Sequence, residues 1–207
     1  MLVKNVMLTN EQLITVSKNA TLGDALKLME EHNYLSLPVV EKERFYGLIA
    51  KDKIYEFCYK NKVTEESLSK EFTVEKLLNI DIPAIDPQEE IEMAVDHLAK
   101  KSVPFVAVVD EDKIFSGILT HKVVFEQFVE VFGMNKGERL AVIAYDIPGQ
   151  LSKLSKIIAD NNGDIMSFVV TDPHSVATDV KEMVLRVQVA NINKLVNKIK
   201  EAGFKVQ

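Results

Sequence analysis

One pattern runs through this chain twice, and it constrains the fold more than any other feature. The apolar pair Val39-Val40 returns 69 positions later as Val108-Val109, and Gly47-Leu48-Ile49 returns as Gly117-Ile118-Leu119 after one inserted residue. In the first copy Ile14-Thr15-Val16 reads as a short strand ending in a Ser17-Lys18-Asn19 turn. Thr21 is a favoured N-cap with Asp24 behind it, and Leu22, Ala25, Leu26 and Met29 recur at helical spacing. Pro38-Val39-Val40 reads as a buried strand, Gly47-Leu48-Ile49 as a second one, and a helix through Ile54, Tyr55, Phe57 and Cys58 closes the unit. In the second copy Pro83-Ala84-Ile85 is the strand, Asp86 the cap, Pro87 the first helical position and Glu89 the partner completing the box. Ile91, Ala94, Val95 and Leu98 repeat the helix face, and Val124-Phe125-Glu126 matches Ile54-Tyr55-Glu56. The order strand, helix, strand, strand, helix therefore occurs twice.

The repeat ends where the charge balance changes. Residues 138–207 hold 9 Lys and Arg against 8 Asp and Glu, whereas the 137 residues before them hold 16 against 23. Gly133-Met134-Asn135-Lys136-Gly137 interrupts the apolar pattern between these regions. The expected domains are 1–66, 67–134 and 138–207. At 207 residues and 47% hydrophobic content the chain can bury a sizeable core without disulfides or metal, and wholesale disorder is excluded. A net charge of −6 leaves no basic footprint for nucleic acid. No apolar run is long enough for a membrane span, the first residues do not read as a signal peptide, and Cys58 is the sole cysteine. The expectation is a cytoplasmic protein that binds neither nucleic acid nor membrane.

Leu37-Pro38-Val39-Val40 with Gly47-Leu48-Ile49-Ala50, and Val106-Ala107-Val108-Val109-Asp110 with Gly117-Ile118-Leu119-Thr120, resemble the paired motifs of CBS domains. The resemblance implies two CBS domains packed as a pair. It also implies an adenosine-containing ligand (AMP, ATP, S-adenosylmethionine or cyclic di-AMP) in clefts between the sheets. An adenine ring needs an apolar slot with backbone groups at its edge. Leu13, Ile14, Leu37 and Pro38 in the first copy, and Ile82, Val103 and Phe105 in the second, are candidates to line it. Thr120 belongs to the second motif, and Lys51, Lys53, His121 and Lys122 follow the motif strands where the family places its ligand mouth. Each of these cations is more readily read as a solvated surface group.

The pattern departs from the family in one respect. The aspartate that accepts from ribose hydroxyls is replaced by Lys53 in the first copy and Val123 in the second, while Asp52 stands one residue early and is expected to point away. That substitution favours a phosphate-centred ligand such as cyclic di-AMP, or an empty site used only for dimerisation.

Residues 138–207 follow a different rhythm. Leu140, Val142 and Ala144 alternate as a strand, and Asp146-Ile147-Pro148-Gly149 turns into a helix faced by Leu151, Leu154, Ile157 and Ile158. In this turn Asp146 is expected near the N-cap and Pro148 in the first helical turn. Asn161-Asn162-Gly163 ends that helix and a strand runs from Ile165 to Val170. A polar loop, 171–179, leads to a third strand at 184–189, a helix with Ile192, Leu195, Val196 and Ile199 on one face, and a last strand at 204–206. The order βαββαβ is the ferredoxin-like arrangement, so the whole chain is expected to be α+β. Asp146-x-Pro148-Gly149-x-Leu151 followed by Gly163-Asp164-Ile165 resembles an ACT domain. The resemblance implies amino-acid contacts at Asp146, Gly149, Gln150, Leu151 and Asp164. The alternative is a helix-start turn in a module that only dimerises. The order CBS, CBS, ACT resembles the acetoin-utilisation B-type family of small bacterial regulators.

No nucleophile, acid or metal cluster suggests catalysis, and no cofactor is expected. His32, His97, His121 and His174 are scattered, and no phosphate-binding glycine loop is present. Asp110-Glu111-Asp112 reads as a solvated turn. The helix through Val123, Val124, Phe125, Phe128, Val129, Val131 and Phe132 is apolar around much of its circumference, as is its counterpart at Ile54–Tyr59. Such helices suggest a subunit interface. The expected protein is a homodimeric, ligand-sensing regulator acting on an effector that the sequence does not identify. The alternative is an amino-acid-responsive ACT protein with a scaffolding CBS pair.

Overall fold

The computed structural model describes residues 1–172 and 179–207. His174 and most of the loop expected at 171–179 lie outside the described residues. The chain forms two compact units, Met1–Phe125 and Glu126–Gln207.

In the first unit, the first copy supplies β1 (Leu8–Thr9), α1 (Leu22–Glu31), β2 (Ser36–Glu41), β3 (Arg44–Ala50), α2 (Lys51–Asn61) and α3 (Glu65–Lys70). The second copy supplies β4 (Ala84–Ile85), α4 (Ile91–Lys100), β5 (Phe105–Val109), β6 (Phe115–Thr120) and α5 (His121–Val131), the last running on into the second unit. Thr21 caps α1 by accepting from the Asp24 amide at 3.0 Å, while its hydroxyl donates to the Asp24 carboxylate at 2.7 Å. The apolar stripes face their own cores: Leu22, Ala25 and Met29 are buried in one copy, and Ile91, Ala94 and Leu98 in the other.

Two local expectations change. Asp86 does not cap a helix: its carboxylate accepts from the Gln88 amide at 2.7 Å in a turn, and α4 begins after Glu90. Proline's fixed φ suits such a turn as well as a helix start, so Pro87 could not distinguish them. Of Ile14-Thr15-Val16, only Val16 pairs, through one parallel bridge to Val39.

The copies exchange their leading segments. β1 pairs antiparallel with β6 in a sheet ordered β1-β6-β5-β4, and Val3 is buried in the second copy's core. In return, residues 72–79 join the first copy: the Leu22 amide donates to Phe72 at 2.8 Å, Val74 to Ala20 at 2.9 Å, and Leu48 and Asn79 exchange two bonds of 2.9 Å. The boundary expected between 66 and 67 therefore separates segments that pair, and the two copies together make one compact unit. The motif glycines follow from the exchange. A Cβ on Gly117 would stand 2.0 Å from the Leu8 carbonyl oxygen, and one on Gly47 would stand 2.1 Å from that of Asn79.

The second unit contains β7 (Glu138–Tyr145), α6 (Gln150–Asp160), β8 (Asp164–Thr171), β9 (Val180–Gln188), α7 (Ile192–Glu201) and β10 (Lys205–Val206). Its sheet is ordered β10-β7-β9-β8 with every pair antiparallel, the ferredoxin-like topology. Leu154 and Ile158 of α6, and Leu195 and Ile199 of α7, are buried against Val142, Leu185 and Val187 of the sheet. The unit begins at Glu126, within α5, and so takes in the glycine-rich break that was expected to precede it. The N-cap of α6 is Gly149, at φ +90°, which puts Pro148 ahead of the helix; Asp146 turns its carboxylate toward Lys181 instead, at 3.5 Å.

Candidate functional site

The exchanged segments enclose two cavities between the copies. The first, about 340 Å³, is walled by Leu13, Ile14, Leu37 and Pro38 on one side and by Phe105, Ile118 and Thr120 on the other, with Leu8, Gln12 and Tyr34 also lining it. The second, about 540 Å³, holds Leu48, Ala50, Asp52 and Lys53 at the start of α2, Leu77, Leu78 and Asn79 from the exchanged segment, and Ser102. Leu35, Ser36 and Pro104 line both.

Six of the residues read from the sequence as nucleotide contacts thus meet in the first cavity: Leu13, Ile14, Leu37, Pro38, Phe105 and Thr120. Lys53 lines the second, and so does Asp52, against the expectation that Asp52 points away. Both residues stand in the first turn of α2 at the cavity mouth. Val103 is buried but lines neither cavity, and Lys51, His121 and Lys122 line neither. Tyr34, Leu35, Ser36 and Pro104 were missed. The repeat itself held a signal for two of them, because Leu35 and Pro104 stand 69 positions apart in equivalent places.

The lysines at the start of α2 are already engaged. Lys53 donates to Glu56 at 2.9 Å, and Lys60 donates to the other Glu56 oxygen at 2.5 Å. The hydrogen bond from Lys60, then that from Lys53, holds the Glu56 carboxyl at about 2, and the Glu56 bond raises the Lys53 ammonium in turn. Lys51 lies 3.8 Å from the Glu30 carboxylate and over the Tyr55 ring at 5.8 Å, while the Tyr55 hydroxyl donates to Glu30 at 2.9 Å. Thr120 accepts from the Val123 amide at 3.3 Å, capping α5 at the edge of the first cavity. Among the described residues, no charged side chain lines the first cavity. It can hold a flat apolar ring and offer hydrogen bonds from Ser36, Thr120 and Gln12.

A third cavity, about 340 Å³, lies in the second unit and brings together Asp146, Gly149, Gln150 and Leu151 with Val170, Lys181 and Met183. Asp164, expected with them, starts β8 and does not line it. Lys181, absent from the expected set, bonds Asp172 and faces Asp146; its ammonium is raised chiefly by the Asp172 bond. A Cβ on Gly149 would meet nothing within 4 Å, so the glycine answers to its backbone angle rather than to crowding. Among the described residues no group of three or more His, Cys, Asp and Glu could hold a metal ion.

The CBS-domain family model matches residues 3–59 and 74–130, the two copies that build the first pair of cavities. The chain belongs to the CBS-domain family. It is 31% identical over 111 residues to the choline transport ATP-binding protein OpuBA of Bacillus subtilis, covering 54% of this chain but only 27% of that longer protein. It is 25% identical over 122 residues to Cyclic di-AMP receptor B of the same organism, covering 58% of this chain and 82% of the relative. The solved structure of the CbpB protein from Listeria monocytogenes aligns with a TM-score of 0.53 at 31% identity, over 60% of this chain and 96% of that one. In this CBS pair, Leu37-Pro38-Val39-Val40 lies on β2 and Val106-Ala107-Val108-Val109 on its counterpart β5, while Gly47-Leu48-Ile49 and Gly117-Ile118-Leu119 lie on β3 and β6.

Proposed function

We propose that this CBS protein is a ligand-sensing regulator whose CBS pair binds an adenine nucleotide, AMP, ATP or cyclic di-AMP, and performs no catalysis. The observation that carries the reading is the uncharged 340 Å³ cavity, whose apolar walls are interrupted by Ser36, Thr120 and Gln12. Its size and mixture of apolar walls with a few polar groups suit a purine. The relative named Cyclic di-AMP receptor B supports the same class of ligand. Lys53 shares its ammonium with Glu56, so a phosphate at the second cavity meets a cation whose charge is already partly offset.

The protein works as a cytoplasmic homodimer on an effector protein in this reading. Tyr55 and Tyr59, exposed one turn apart on α2, support such an interface, and no described helix is long and apolar enough to cross a membrane. A second reading rests on the second unit, taken as an ACT domain of acetoin-utilisation type. There Asp146 and Lys181 place opposite charges beside the apolar Leu151 and Met183, an arrangement that suits a free amino acid.

Thermal-shift measurements with AMP, ATP, cyclic di-AMP and the amino acids separate these readings. A nucleotide at 100 times its dissociation constant adds about 2.7 kcal/mol of stability. Stabilisation by amino acids alone supports the second reading. No shift with any nucleotide at millimolar concentration overturns the first.

A further inference from the structure

The two cavities of the CBS pair share a wall, and one side chain in it is uncommitted. Leu35 lines both cavities yet is 79% exposed. Its backbone is anchored, because its carbonyl accepts the Lys51 amide at 2.8 Å as α2 begins. Its neighbour Leu37, two residues further along, is buried in the first copy's core. The segment is thus held in place while the isobutyl group of Leu35 is left at the mouth of two cavities, packed into neither.

An apolar ring entering either cavity gains by covering this side chain, since burial of leucine is favourable in proportion to the area removed from water. A single isobutyl group can close over only one ring at a time. The ligand that binds first takes that contact, and the second binds without it. We propose that the two cavities are negatively coupled through Leu35, so that filling one weakens binding at the other. This inference rests on the nucleotide reading above. Burying about half of a leucine side chain corresponds to about a tenfold difference in affinity. By linkage, each site feels the other to the same extent.

The coupling has a signature that unequal but independent sites lack. Removing Leu35 weakens the first binding event, which used it, and leaves the second, which did not. Leu35 is exposed, so Leu35→Ala is compatible with folding. Calorimetric titration of the full chain with AMP, ATP and cyclic di-AMP in turn provides the test. The unmutated protein gives two events, and in Leu35→Ala the first is about tenfold weaker while the second is unchanged. Tyr34→Ala, at the first cavity alone, and Asn79→Ala, at the second alone, assign each event to its cavity. Equal weakening of both events by Leu35→Ala, or no weakening of either, overturns the coupling. A single event in both proteins overturns the coupling but keeps the nucleotide reading. No binding of any of the three nucleotides overturns both.

Discussion

Replacing Gly47 by alanine tests the close approach that joins residues 72–79 to the first copy. The added Cβ would lie 2.1 Å from the Asn79 carbonyl oxygen, 2.9 Å from its carbon and 3.1 Å from a Leu78 methyl. The oxygen belongs to backbone that is bonded twice to Leu48, at 2.9 Å in each direction, so it can retreat only by stretching both bonds. Each bond contributes about 1 kcal/mol. Gly47 also holds φ +146°, a region left almost entirely to glycine, where alanine costs about 1–3 kcal/mol. Alanine narrows the unfolded ensemble and returns about 0.4–1 kcal/mol. The net loss is about 3 kcal/mol. Urea unfolding followed by circular dichroism should show the midpoint falling with an unchanged slope, and hydrogen exchange at the Leu48 and Asn79 amides should accelerate. Because Leu78 and Asn79 line the second cavity, the nucleotide event assigned there should weaken as well. A loss below about 1 kcal/mol, with exchange at those two amides unchanged, would show that the segment yields freely and that the contact does not explain the glycine.

The β2–β3 turn places Lys42 at φ +48° and Glu43 at φ +65°, both left-handed positions where glycine and asparagine are preferred. Glu43→Gly should therefore stabilise the first unit by about 0.5–1 kcal/mol, since the bond from the Phe115 amide reaches the Glu43 backbone and survives; a lower melting temperature refutes this. The Glu56 carboxyl should titrate at about 2 in carbon NMR, against an ordinary 4.5, and Lys60→Ala should raise that midpoint. A lowered folded-state value means that the contribution of these pairs is complete above 4.5 and is lost as pH falls through about 2, so a midpoint near 4.5 in the unmutated protein contradicts the geometry.

Much of the architecture was legible because its signals are local. The Thr21 cap, the stripes Leu22-Ala25-Met29 and Ile91-Ala94-Leu98, and the βαββαβ order each depend on residues within a few turns of one another. Where one local signal fits two conformations, as at Asp86-Pro87, the reading failed. The first cavity was half legible: its apolar strand residues stood out, whereas Tyr34, Leu35 and Pro104 sit in connections without periodicity. The ion pair of Lys53 with Glu56 was not read from the sequence, because a lysine's partner three residues along a helix cannot be weighed against an absent ligand from composition.

By itself, the sequence determined that this chain holds two copies of one strand-helix-strand-strand-helix unit followed by a different module, because hydrophobic period and turn residues act over short stretches. Only the tertiary structure decided that each copy completes its partner. A strand of two residues such as Leu8–Thr9 has no period of its own, and its place beside β6 is set by the room left at Gly117. The same exchange decided where the cavities lie and that Leu35 stands between them, since a shared wall arises from packing between segments far apart in the chain.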